Sequence, residues 1–271
     1  MPVLVGTSGW QYRDWRGTFY PPEVPQRRWL EYYAGQFGTV ENNGTFYRLP
    51  PRETFAGWRD RVGGDFVMTV KASRYLTHVR RLRDPAEPVR RLLDAAAGLG
   101  GPAGPAPRGS RDSWGSWTGP VLLQLPPDLR ADPRLLDECL GCFPPQVRVA
   151  VEPRHESWWS AEVRDVLAAR NAALCWADRT GTAVTPLWRT AGWGYLRFHE
   201  GDDGANWPRY RAATLRAWAD RIAATWAEGL DVYVYFNNDQ RGAAPRDAAG
   251  FAAAVSAQGL RLAGAMTRAG A

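Results

Sequence analysis

The stretch "VRVAVEPRHESW" (147–158) decides how this chain folds. Val147, Val149 and Val151 alternate with Arg148, Ala150 and Glu152, and Arg154 keeps the second parity beyond Pro153. Successive side chains of a strand point to opposite faces. The branched valines therefore share one face, suited to packing against helices, and Glu152 and Arg154 share the other. An apolar run that turns polar where it ends is the pattern of a parallel strand whose carboxyl end carries the chemistry.

Seven more runs of this kind occur: "VLVG" (3–6), "GTVEN" (38–42), "DFVMTVK" (65–71), "PVLLQL" (120–125), "ALCWAD" (173–178), "GYLRFH" (194–199) and "DVYVYFN" (231–237). Helical periods lie between them at 26–37, 51–62, 86–97, 133–142, 160–170, 208–228 and 246–258. The link 179–192, "RTGTAVTPLWRTAG", has no such period and is predicted to be a loop. Strand–helix alternation implies a parallel sheet covered by helices, and eight repeats in about 250 residues match a (β/α)8 barrel. The expected fold is α/β: a single TIM-barrel-like domain over 1–271 with one connection lacking a regular helix. An open doubly wound sheet fits less well. "GTSGW" (6–10) lacks a G-x-G-x-x-G phosphate loop, and polar residues gather after nearly every strand rather than at one switch point. Residues 101–118, "GPAGPAPRGSRDSWGSWT", read as a flexible Gly/Pro/Ser-rich insertion, entering the fourth strand on the face away from the chemistry.

A chain of 271 residues with 45% hydrophobic and 23% charged residues is an ordinary globular composition. No run approaches the 18 apolar residues of a membrane span, and the N-terminus lacks a signal-peptide pattern, so no membrane and a cytoplasmic location are expected. The net charge of +6 favours anionic partners. "CLGC" (139–142) has redox or zinc spacing, but Cys175 alone cannot complete a four-ligand shell, so reduced structural cysteines are expected.

The rare residues point toward a site. Lys71 is the only lysine among 34 Lys plus Arg, in a composition suggesting a genome rich in G and C. Arginine replaces a surface lysine at little cost there; it does not replace a compact point charge or a tunable amine. Lys71 ends its strand. So do Glu41, Gln124, Glu152, Asp178, Arg197 and His199, on the rim where barrels place their sites. By parity Tyr195, Arg197 and His199 share one face, opposite Leu196 and Phe198. His78, His155 and His199 are the only histidines, and four of the six asparagines form the pairs Asn42–Asn43 and Asn237–Asn238. The candidate catalytic residues are Lys71, Glu41, Glu152 and His199; Lys71, Arg154 and Arg197 would hold negative charge, and Asn43, Asn237 and Asn238 would orient oxygens. Trp10, Tyr12 and Trp15 either stack on a ligand or anchor a loop. Glu41, Glu152, Asp178, His199 and Asp239 include metal-ligand types, but no short ligand motif is present and the rim is cationic, so neither metal nor cofactor is expected.

The blocks "GTSGWQYRDWRGTFYP" (6–21), "TVENNGTFYRLP" (39–50), "KASRYLTH" (71–78), "QLPP" (124–127), "EPRHESW" (152–158) and "VYVYFNND" (232–239) together resemble the YecE-like family, a domain of unknown function. The resemblance runs over nearly the whole chain and implies a TIM-barrel-like fold, without an established activity. Its motif positions correspond to Trp10, Glu41, Asn43, Tyr47, Lys71, His78, Gln124, Glu152, Arg154, His155, Asn237, Asn238 and Asp239. The chain departs from the pattern at Asn42 and Gly44 and in the insertion 101–118. Residues and resemblance together suggest a hydrolase or lyase that binds a small anionic or polyol ligand, with Tyr12 and Asp178 among the ligand contacts. A nucleic-acid binder or metal-dependent phosphodiesterase is the alternative, a non-catalytic ligand-binding protein the third reading. Oligomeric state stays open.

Overall fold

The computed structural model describes residues 2–100, 118–226 and 230–264. Its strands are β1 (Pro2–Thr7), β2 (Thr39–Asn42), β3 (Val67–Lys71), β4 (Thr118–Gln124), β5 (Val149–Glu152), β6 (Ala173–Leu174), β7 (Trp176–Arg179), β8 (Thr182–Ala183), β9 (Gly194–Phe198), β10 (Val232–Phe236) and β11 (Arg261–Leu262). The helices are α1 (Trp29–Gln36), α2 (Gly44–Tyr47), α3 (Arg52–Arg59), α4 (Ala86–Ala96), α5 (Pro133–Gly141), α6 (Ala161–Ala169), α7 (Ala212–Thr225) and α8 (Ala243–Ala257). All eight predicted strands are present. The sixth is divided at Cys175 into β6 and β7, and the predicted loop 179–192 contains the short strand β8, antiparallel to β7. The predicted insertion lies outside the described residues except for Thr118, which opens β4. No described helix is long and apolar enough to cross a membrane.

The protein is a mixed α/β fold of mostly parallel strands. Its described residues form two compact units, one within 1–41, 176–187 and 192–271, the other within 42–175 and 188–191. In the first, the order is β11-β1-β10-β9-β7-β8, with every pair parallel except β7 with β8. Phe198 and Phe236 stack at 4.6 Å on the sheet face that also receives Phe251 of α8 and Trp218 of α7. That is the apolar parity read in the sequence. Gly6 permits a close approach here, because a Cβ on it would sit 2.1 Å from the Thr39 carbonyl oxygen. The loop after β1 is tied down by aromatics, with Tyr20 stacked on Trp29 at 4.5 Å and the Trp15 indole N–H donating to the Asp239 carbonyl at 2.7 Å.

In the second unit β3, β4, β5 and β6 pair in parallel in that order. Lys71 lies opposite Leu122, Leu122 opposite Ala150, and Gln124 opposite Glu152. Two-residue spacing then places Lys71, Gln124 and Glu152 on one face at three adjacent carboxyl ends. The helices between these strands start as their sequences dictate. Asp132 caps α5 by accepting from Leu135 N–H at 3.0 Å, with Pro133 at the first turn, and Ser160 caps α6 through Val163 N–H at 3.2 Å.

Candidate functional site

The second unit gathers the cations. Lys71, 8% exposed, ends β3 with its ammonium 4.4 Å above the Phe46 ring. A compact charge on a ring face gains from the ring quadrupole, and burial strengthens the attraction. Phe46 is held there by α2, whose Thr45 hydroxyl bonds the Lys71 carbonyl at 2.7 Å and the Asn42 carbonyl at 2.8 Å. The same ring meets the His78 imidazole edge to face at 5.0 Å. Burial first, then the charges of Lys71, Arg74 and Arg154, lower the His78 pKa, with Asp128 acting in the opposite sense. At neutral pH His78 is therefore an uncharged imidazole, with Nδ1 2.9 Å from the Thr77 hydroxyl. Glu152 is buried beside this group, accepting from Gln124 Nε2 at 2.8 Å and lying 3.8 Å from the Arg154 guanidinium.

The first unit holds a different arrangement around a carboxylate with no exposed surface. Glu41 accepts from Ser8 Oγ at 2.7 Å, from Arg197 Nη2 at 2.8 Å and from the Tyr195 hydroxyl at 2.5 Å. The backbone delivers these groups in register: Ser8 follows β1 and bridges Glu41 in parallel, and Tyr195 and Arg197 are two apart on β9. Burial and the Glu41 charge push the Tyr195 phenol far above its ordinary pKa, so it stays a donor. Arg197 also reaches Asn237 Oδ1 at 3.5 Å, and the Asn237 amide lies 3.3 Å from His199 Nδ1. A buried ion pair with hydroxyl support continues in this way to a half-buried histidine.

Residues 4–269 match the family described as "Protein of unknown function DUF72". The chain belongs to the DUF72 family. It is 24% identical over 269 residues to the UPF0759 protein YunF of Bacillus subtilis, covering 89% of this chain and 90% of that protein. Among solved structures it is similar to a DUF72 protein of Thermotoga maritima, with TM-score 0.76, 23% identity, and coverage of 94% of this chain and 100% of that one. A DUF72 protein of Enterococcus faecalis gives TM-score 0.74 at 18% identity, covering 94% of this chain and 95% of that one. These likenesses show the fold and the family.

Several candidates in this DUF72 chain take structural places. The aromatic trio anchors the loop after β1. Trp10 and Trp15 are buried, the Trp10 carbonyl accepts from Tyr20 at 2.6 Å, and Tyr12 donates to the Ser8 carbonyl at 2.5 Å. Asp178 is buried, accepting from the Trp218 indole at 2.9 Å and Gly181 N–H at 3.1 Å; burial raises its pKa. Asn238 spends its amide on the Pro208 carbonyl at 2.9 Å and Asp247 at 2.7 Å. His155 accepts from Ser157 N–H at 3.1 Å, which caps the turn after β5. Asp239 is half-buried, and burial raises its pKa. Asn43 precedes α2, and Tyr47 ends it with a largely exposed ring. Burial pushes the Cys139 thiol up to about 12, so "CLGC" sits as an inert helix end. Among the described residues, no group of three or more His, Cys, Asp or Glu side chains could hold a metal.

Sequence reasoning missed Phe46, Arg74 and Tyr75. Phe46 and Tyr75 sit in segments without readable periodicity: a helix of four residues and a single π-helical turn, Tyr75–Val79. Arg74 comes just before that turn. The available signal was that all three lie inside the blocks "TVENNGTFYRLP" and "KASRYLTH".

Proposed function

We propose that this DUF72 protein is an enzyme that binds a small phosphorylated ligand at the carboxyl ends of β3, β4 and β5. The observation that carries the reading is the Lys71 ammonium seated over the Phe46 ring that also meets His78, beside the buried Glu152 with the Arg154 guanidinium 3.8 Å away. Excess positive charge around a neutral imidazole suits a dianion together with proton transfer. The cations lower the energy of the bound phosphoryl oxygens, and a neutral imidazole has one unprotonated ring nitrogen that can accept a proton. Gln124 donates to Glu152 and holds that carboxylate in place beside Arg154. In the first unit, Glu41 positions Arg197 and Tyr195. The nucleic-acid reading rests on the basic composition, the rim arginines and the Trp10, Tyr12 and Trp15 group, of which Trp10 and Trp15 are buried.

Calorimetric titration with orthophosphate tests the proposal. The parent protein should bind it, with affinity falling as salt is added. Lys71→Met, which keeps the stem and removes the charge, should weaken binding about tenfold or more, the worth of one charge-assisted contact. Lys71→Arg should also weaken it, because a guanidinium spreads its charge over a fork and does not supply the compact point charge of an ammonium. No binding by the parent, unchanged binding by Lys71→Met, or failure of Lys71→Met to fold would each end the proposal.

A further inference from the structure

A cleft of about 410 Å³ opens beside this cation group, entirely within the second unit, and among its lining residues are Phe46, Tyr47, Arg74, Tyr75, Val79 and Arg91. Its size is in the range of small-molecule sites. Three of its residues are large apolar side chains left in solvent: Tyr47 is 81% exposed, Val79 57% and Tyr75 49%. Single exposed apolar residues are ordinary; three on one concave surface mark a place where something docks. The cleft and the cation group share two residues. Phe46 lies under the Lys71 ammonium, touches His78, and meets Tyr47 edge to face at 5.1 Å. Arg74 lines the cleft, makes no ion pair among the described residues, and is one of the charges acting on His78. Arg91, by contrast, lies 3.5 Å from Glu87.

We infer that the cleft is the aromatic subsite of the ligand whose anion the cation group holds. The ligand is thus a flat aromatic ring carrying a phosphate, as in a nucleoside monophosphate. This rests on the anion-binding reading above and adds the class of ligand. A sugar ring would require several paired hydroxyl partners. Ser73 is the one small hydroxyl on the wall, and Glu87 is occupied by Arg91, whereas a lining that includes Phe46, Tyr47, Tyr75 and Val79 suits a ring that stacks. Tyr75 begins the π-helical turn Tyr75–Val79, a geometry that recurs at functional sites and here presents Tyr75 and Val79 together.

Calorimetry with adenosine 5′-monophosphate, orthophosphate, adenosine and glucose 6-phosphate tests the inference. The monophosphate should bind at least roughly tenfold more tightly than orthophosphate, as base stacking on aromatic side chains provides. Tyr47→Ala and Tyr75→Ala, at exposed positions that do not threaten folding, should each bring the monophosphate down to the affinity of orthophosphate while orthophosphate itself is unaffected. The inference is overturned if the monophosphate binds no better than orthophosphate, if glucose 6-phosphate binds as well as the monophosphate, or if both tyrosine variants bind like the parent. In those cases the anion reading survives as long as orthophosphate binds. Tyr47-dependent binding of adenosine without any binding of orthophosphate would instead sink the anion reading and leave the aromatic cleft standing. Silence from all four compounds would remove both.

Discussion

Replacing Glu41 with glutamine changes no volume and removes one charge from a site with no access to water. Glu41 accepts from Ser8, Tyr195 and Arg197, and the Arg197 side chain is itself 1% exposed. In Glu41→Gln the guanidinium loses its counter-charge, and one carboxylate oxygen becomes an NH2 facing donors. Breaking a buried pair from one side costs about 3–5 kcal/mol, because the remaining charge stays desolvated. For a chain of this size each kcal/mol corresponds to roughly 2–4 °C in melting temperature. Taking the lower bound of about 3 kcal/mol, the expected drop is about 6–12 °C. Tyr195→Phe removes one hydrogen bond to a charged acceptor and should cost less, about 1.5–3 kcal/mol. The decisive comparison is Glu41→Gln/Arg197→Met, which leaves no orphaned charge and should recover part of the loss. The measurement is thermal unfolding followed by circular dichroism. A Glu41→Gln melt within about 2 °C of the parent, or a double variant as unstable as the sum of the singles, would refute the reasoning.

Asp247 is a second buried hub, accepting from Arg209 Nε at 2.5 Å, Tyr210 N–H at 3.0 Å and Asn238 at 2.7 Å. Asp247→Ala should lower stability by about 2–4 kcal/mol by stranding those donors, read as a lower midpoint in urea. For His78, the folded pKa is depressed, so between that value and about 6.5 the unfolded chain binds a proton that the folded chain does not. Its contribution to stability is present above about 6.5 and is lost as pH falls through the folded value, and His78→Gln should flatten that part of the profile. In an NMR titration the His78 ring should change charge below the ordinary histidine range, and orthophosphate should move its midpoint upward by offsetting Lys71, Arg74 and Arg154. A midpoint at or above the ordinary value in the free protein would contradict the described surroundings.

Much of this was legible before any coordinates. Alternation in "VRVAVE" and "GYLRFH" assigned Glu152, Tyr195 and Arg197 to their faces, because a strand has a period of two whatever surrounds it. The eight strands and the long helices followed from hydrophobic period. The division at Cys175 did not, since residues 173–177, "ALCWA", are apolar throughout and backbone pairing alone separates β6 from β7. The Asn237–Asn238 pair shows the same limit. Two like residues in one motif look equivalent in sequence, yet the Asn237 amide lies beside His199 while the Asn238 amide donates to Asp247.

What the sequence by itself determined was local and periodic: which residues lie on strands, which share a face, and that the sole lysine ends β3. Only the tertiary structure decided partners. Arg197 meets a carboxylate 156 residues away, and Lys71 rests on a phenylalanine from a different element. Spacing along the chain carries backbone period. The choice of counter-charge or ring depends on which chain segments packing brings within a few ångströms, and for Lys71 that choice set its ammonium over the Phe46 ring.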